Sequence, residues 1–285
     1  MNLGSVTITL YKRIIRIILI TSKDFQKGTG LMIGIFRESI KNIPLLAVVD
    51  SSKRDEPLPV LIYFHGFTSA KEHNLPQAYL LAQRGFRVLL PDSMYHGERN
   101  EDLSSQDLNF KFWDIVYQNL KELQDIKDYL DQRDLIHQRR LAVGGTSMGG
   151  VTTSAAMTMY PWIQAAAVMM GSPKPVEFAQ KLIADVQQTG IELPISEEQL
   201  QTLMDGLKEI DLSTQPEKLY GRPIFFWHGD ADPVVPFEHS YDFYNEAIKL
   251  YKNPENIRFL REVGRDHKVS RFAVLEMVNW LDLVL

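Results

Sequence analysis

The stretch that most restricts what this chain can fold into is Leu141 to Pro161, where a strand-like run passes into a helix-like run with no room for a loop. Leu141-Ala142-Val143 is an apolar run of the buried-strand kind, and the small-residue segment from Met148 to Tyr160 can continue as a helix until Pro161 stops it. Between them lies Gly145-Thr146-Ser147-Met148-Gly149, a G-x-S-x-G pattern. So tight a strand-to-helix turn holds the serine Oγ up where a ligand can reach it. The crowding leaves no space for a Cβ at Gly145 or Gly149, and Gly150 lets the helix lie close to the sheet. A serine hydroxyl is a poor nucleophile alone, so the rest of the chain must supply a base and donors for an oxyanion.

The surrounding rhythm predicts a mostly parallel, doubly wound α/β sheet. Met32 to Phe36 and Pro44 to Val49 read as an antiparallel pair at a sheet edge, and Val60 to Phe64 as a strand covered on both faces. Further strands are expected at Val88 to Leu90, Ala165 to Met170, Pro223 to Trp227 and Ile257 to Glu262. Helices are expected over Asn74 to Arg84, Phe110 to Leu130, Glu238 to Tyr251 and Val269 to Leu283. The segment 172–221 breaks this rhythm with two helices and no strand, one over Val176 to Gln188 and one opened by a capping box from Ser196 to Gln199.

His65, Asp92, Ser147, Asp232 and His267 all follow strands, so they should gather at one edge of the sheet. Serine chemistry needs an imidazole base and a carboxylate that holds its tautomer. His267, on the loop after the last strand, is the expected base. Asp232, in His228-Gly229-Asp230-Ala231-Asp232, is the expected carboxylate with Asp230 its rival, because Pro233 to Pro236 fix the loop just after Asp232. The oxyanion donors are expected at the backbone N–H groups of Met148 and Phe67. His65 and His228 are read as loop braces and His239 as a surface residue. No metal or cofactor is expected, since no H-E-x-x-H or H-x-x-E-H spacing occurs.

With 285 residues, 45% hydrophobic and 24% charged, the chain can bury one large α/β core. A net charge of −5 disfavours nucleic acid or an anionic membrane as partner and favours a small, weakly charged molecule. The absence of cysteine removes disulfides and thiolate chemistry. Ile14 to Ile20 is too short to span a membrane and is interrupted by Arg16, with no workable signal sequence, so a cytoplasmic protein is expected. Residues 1–31 fall outside the α/β pattern. Lys27-Gly28 must be encoded by AAR-GGN, the purine-rich core of a ribosome-binding site, three codons before Met32. Met32 is therefore the expected natural start; the competing expectation is a basic, apolar arm that docks on a membrane or partner.

The segments His65 to Glu72, Leu90 to Arg99, Gly144 to Gly150 and His228 to Pro236, with the order Ser147, Asp232, His267, resemble the α/β-hydrolases. More narrowly, they are similar to the small bacterial serine carboxylesterases of the YitV and YjfP kind. The resemblance runs from about Met32 to the C-terminus; His267 departs from it by standing in Arg-Asp-His rather than the commoner Gly-His. It implies an α/β-hydrolase fold over 32–285 and cleavage of small carboxylic esters through an acyl-enzyme. The segment 172–221 is expected to be a helical lid, with Leu200, Leu203, Met204 and Leu207 forming an acyl pocket of limited size that favours short chains. The alternatives are an acyl-peptide hydrolase on the same residues, which the resemblance associates with an additional large domain, and a non-catalytic binding protein on a hydrolase scaffold.

Overall fold

The computed structural model describes residues 30–191 and 193–285. Both readings of the segment before Met32 fall outside the described residues. The strands are β1 (Ile33–Ile40), β2 (Ile43–Asp50), β3 (Leu58–Phe64), β4 (Arg87–Pro91), β5 (Ile136–Thr146), β6 (Ala165–Met169), β7 (Ile224–Gly229) and β8 (Ile257–Glu262). They form one sheet in the order β1-β2-β4-β3-β5-β6-β7-β8. The β1–β2 and β2–β4 pairs are antiparallel, and every later neighbour is parallel. The helices are α1 (Leu75–Ala82), α2 (Ser105–Phe110), α3 (Phe112–Gln132), α4 (Met148–Met159), α5 (Pro175–Gln188), α6 (Glu197–Glu209), α7 (Phe237–Ala247) and α8 (Arg271–Val284).

The two-residue alternation of the central strands explains why the sheet is wound on both sides. In β3, Val60, Ile62 and Phe64 join a core with α3, α4 and α7, while Leu61 and Tyr63 join a second core with α1 and α8. Because every strand from β3 onward runs the same way, the carboxyl ends of β3, β4, β5, β7 and β8 share one edge, where His65, Asp92, Ser147, Asp232 and His267 lie.

Several boundaries differ from expectation. Strand β5 begins at Ile136 rather than Leu141. The expected helix from Phe110 is two helices, α2 and α3, broken at Lys111. Helix α2 is capped by Ser104, whose Oγ accepts the Asp107 N–H at 3.1 Å. The capping box expected at Ser196 is formed, with Gln199 N–H to Ser196 Oγ at 3.2 Å and Ser196 N–H to Gln199 Oε1 at 2.8 Å. No helix among the described residues is long and apolar enough to cross a membrane.

Candidate active site

Ser147 occupies the joint between β5 and α4 with φ 55° and ψ −114°, a left-handed backbone that a side-chain-bearing residue rarely adopts. The turn is held from both sides. The Ser147 N–H donates to Met169 O at 2.8 Å. A Cβ on Gly145 would lie 2.3 Å from the Gly149 carbonyl, and one on Gly149 would lie 2.2 Å from Phe64 O, so both positions must be glycine for the elbow to close.

A continuous hydrogen-bonded line leaves the serine. Its Oγ–H donates to His267 Nε2 at 2.8 Å, and His267 Nδ1–H donates to Asp232 Oδ2 at 2.6 Å. A carboxylate can only accept, which fixes the proton on Nδ1 and leaves Nε2 free to take the serine proton. The Asp232 side chain is fully buried. Its Oδ1 accepts the Val234 and Val235 N–H groups at 2.8 and 3.0 Å, and its Oδ2 also accepts His228 Nε2–H at 3.1 Å. Burial alone would raise the Asp232 pKa, but the donors His228, His267 and Val234 outweigh it and hold the carboxyl well below its ordinary value.

Asp230, the rival carboxylate, is turned to the other side of the same loop. It pairs with Arg261 at 2.6 Å and accepts the Gly264 N–H at 2.6 Å. His228 does brace the turn, sharing Nε2–H between Asp232 and Val235 O, the latter at 3.1 Å.

The loop after β3 lies against the elbow: a Cβ on Gly66 would stand 3.5 Å from Ser147 Cβ. Among the described residues the Phe67 N–H donates to no protein acceptor, and Met148, the first residue of α4, has no intrahelical acceptor for its own. Two buried imidazoles hold this loop in place. His65 Nε2 accepts the Ser93 N–H at 3.0 Å while its Nδ1–H donates to Gly66 O at 2.7 Å. His96 Nε2 accepts the Thr68 N–H at 2.9 Å, and its Nδ1–H donates to Met94 O at 2.9 Å. Burial lowers both pKa values, that of His65 to about 4. His65 is thus a brace, as read from the sequence; the matching part played by His96 was not anticipated.

Asp92 is fully buried and ion-paired with Lys71, whose side chain is equally buried. It also accepts the backbone N–H groups of Lys71 and Glu98 at 3.1 and 3.0 Å, which makes it a loop anchor with no hydrogen bond to the serine line. His239 is a correction. It is only 8% exposed, and its Nδ1 lies 2.9 Å from Ser172 Oγ under the start of the 172–221 segment, because α7 packs that face inward.

Beside Ser147 opens a cavity of about 550 Å³. Phe67, Phe112, Trp113 and Phe178 form its aromatic side, and Leu182, Ile183, Val186 and Leu203 line it from the two helices of the 172–221 segment. The four residues expected to line a pocket divide. Leu203 does so, whereas Leu200, Met204 and Leu207 do not; Leu207 is fully buried in the core and Met204 packs against it. The physical reason is the orientation of α6, which points its apolar stripe into the body so that α5 presents the larger wall. Phe178, Leu182, Ile183 and Val186 recur at helical spacing on α5, and that stripe was the sequence signal for them.

Comparison with known proteins gives the chain its relatives. A profile of the prolyl oligopeptidase family matches residues 73–282. The Bacillus subtilis (strain 168) protein named "Putative esterase YitV" is 44% identical over 255 residues, covering 89% of this chain and 100% of that protein. Esterase YjfP of Escherichia coli (strain K12) is 32% identical over 235 residues, covering 82% of this chain and 88% of its own length. Among solved structures, TT1662 from Thermus thermophilus superposes with a TM-score of 0.70 at 19% identity, over 88% of this chain and 98% of that one, a likeness of fold.

Proposed function

The chain belongs to the prolyl oligopeptidase family, and from that premise we propose how its site works: as a serine carboxylesterase passing through an acyl-enzyme on Ser147. That it is a serine hydrolase of the esterase kind follows from its relatives. The observation that carries the mechanism is the unbroken line from Ser147 Oγ through His267 to Asp232, at 2.8 and 2.6 Å.

In this reading Ser147 Oγ attacks the ester carbonyl carbon while its proton passes to His267 Nε2. The negative charge that develops on the carbonyl oxygen is met by the N–H groups of Phe67 and Met148, which have no acceptor of their own among the described residues. Asp232 keeps the imidazole in place and stabilises its charged form. Collapse of the tetrahedral species breaks the bond to the alcohol oxygen, which leaves with the Nε2 proton. A water then gives a proton to His267 and its oxygen attacks the acyl carbon; the second collapse returns the proton to Ser147 Oγ and frees the carboxylic acid. The two half-reactions sum to ester plus water giving acid plus alcohol. Residues 172–221 act as a cover over this site, supported by the share of the cavity wall that α5 and Leu203 provide.

Replacing Ser147 with Ala tests the assignment. Turnover of p-nitrophenyl butyrate should fall by about four to six orders of magnitude, since the three side chains work as a unit. A Ser147→Ala enzyme with ordinary ester turnover would refute it. An aminoacyl anilide assayed beside the ester separates the peptidase alternative, which requires comparable turnover of the amide.

A further inference from the structure

The cavity beside Ser147 has a direction, and the direction tells which half of an ester enters it. A substrate carbonyl placed on Ser147 Oγ with its oxygen toward Phe67 and Met148 must leave its alcohol oxygen near His267 Nε2, because that proton has to reach the leaving group. The walls of the cavity include Ser147 and Phe67 and, from the loop after Asp232, Val234 and Val235, whereas His267 itself is not part of them. The portion that extends into it is therefore the acyl group.

Its surfaces specify what kind. Next to the serine the wall is aromatic, with Phe67, Phe112 and Phe178 packed ring to ring at centroid distances of 5.5 and 5.8 Å. Further along it is aliphatic, from α5. The polar members Gln106, Asn109, Asp185 and Thr189 are all exposed, so they stand at the mouth. Among the described residues of the lining, Asp185 at the rim carries the charge, and no charged group stands between it and the serine to pair with a carboxylate or an amine. At about 30 Å³ per carbon, close to the room of a water molecule, an acetyl group of about 60 Å³ fills about a tenth of the cavity and an eight-carbon acyl group of about 240 Å³ somewhat under half. We infer that this cavity is an acyl site for apolar carboxylic acids of about eight carbons or more, and that the alcohol is not selected by it. The inference rests on the esterase reading above. It replaces the short-chain preference that the expected α6 lining implied.

Two substrate series separate the halves of the ester. Along p-nitrophenyl acetate, butyrate and octanoate, kcat/KM should rise; a fully buried methylene gives roughly fourfold, and the open mouth reduces this, so at least about tenfold is expected from acetate to octanoate. Along methyl, butyl and octyl acetate it should stay within about threefold. Val186→Trp, which fills the aliphatic wall from a half-buried position, should lower the octanoate-to-acetate ratio by about tenfold. Calorimetry of octanoate binding to Ser147→Ala gives a readout independent of turnover: octanoate should bind at least about tenfold more tightly than butyrate, and adding Val186→Trp should abolish the difference. A flat acyl profile, a preference that follows the alcohol instead, or equal binding of octanoate and butyrate overturns the acyl site. If the wild-type protein hydrolyses no ester yet Ser147→Ala binds octanoate in a manner that depends on Val186, the acyl site stands and the esterase reading fails.

Discussion

Asp230 and Asp232 are two residues apart on one loop, yet their side chains face different partners: Arg261 for the first, His267 and His228 for the second. Replacing them should therefore give unequal results. Asp232→Asn should lower kcat by about 10⁴, because an amide in that place favours the wrong imidazole tautomer, whereas Asp230→Asn should leave kcat within about threefold and mainly lower thermal stability. Steady-state kinetics of both variants checks this. A larger loss in Asp230→Asn would reverse the roles of the two carboxylates. The braces of the loop after β3 make a prediction of a different kind. Unfolded, His65 takes a proton near its ordinary value of 6.5; folded, burial holds it at about 4. The neutral ring therefore contributes its full stability above pH 6.5, loses it as the pH falls toward 4, and loses no more below that. This one site should cost about 2 kcal/mol between pH 7 and pH 5, with His96 adding in the same direction. Urea unfolding at the two pH values should show the drop in the wild type and a smaller one in His65→Asn; equal drops would remove His65 from the account. That Asp232 rather than Asp230 would stand against His267 was legible from the proline-bounded loop around Asp232. The inward face of His239 was not, because it is set by contact with Ser172, which is remote in sequence.

At the scale of elements, the close contact between α4 and β6 rests on two glycines facing each other. A Cβ on Gly171 would lie 2.5 Å from the Gly150 carbonyl carbon, backbone against backbone, where no side chain can rotate away. Gly171→Val should push the helix off the sheet and cost about 3 kcal/mol, lowering Tm by about 5 °C or more; an unchanged Tm by calorimetry would show that the elbow tolerates displacement. The strands and α4 could be read from the sequence because each is a contiguous apolar or small-residue run. The leading half of β5 could not. From His137 to Arg140 it is polar and partly exposed, and of the stretch 136–140 only Ile136 pairs with β3, opposite Leu58, before an irregularity in which Gln138 and Arg139 have positive φ. Helix α2 was hidden in the polar run from Asp102 to Asn109, its one local signal being Ser104 three residues before Asp107. The lining of α5 lay in plain view as a helical stripe, but an apolar stripe alone does not tell a cavity wall from a core contact.

Across the whole molecule, the parallel run of strands from β3 onward is what makes the site possible, since it delivers the loop of Phe67, the elbow of Ser147 and the loops of Asp232 and His267 to one edge of the sheet. That convergence was readable from the alternation of strands and helices. The cavity was not, because its walls come from positions 67, 112, 178 and 203, brought together only by the folding of the entire chain. The central claim is that this edge performs ester cleavage through a covalent bond to Ser147. Its most direct test is to mix the protein with p-nitrophenyl octanoate, quench in acid within one turnover, and measure intact mass followed by peptide mapping. The account predicts one octanoyl group per chain, on the peptide containing Ser147 and absent after Ser147→Ala. An acyl group on any other residue, or full turnover with Ser147 absent, would contradict it.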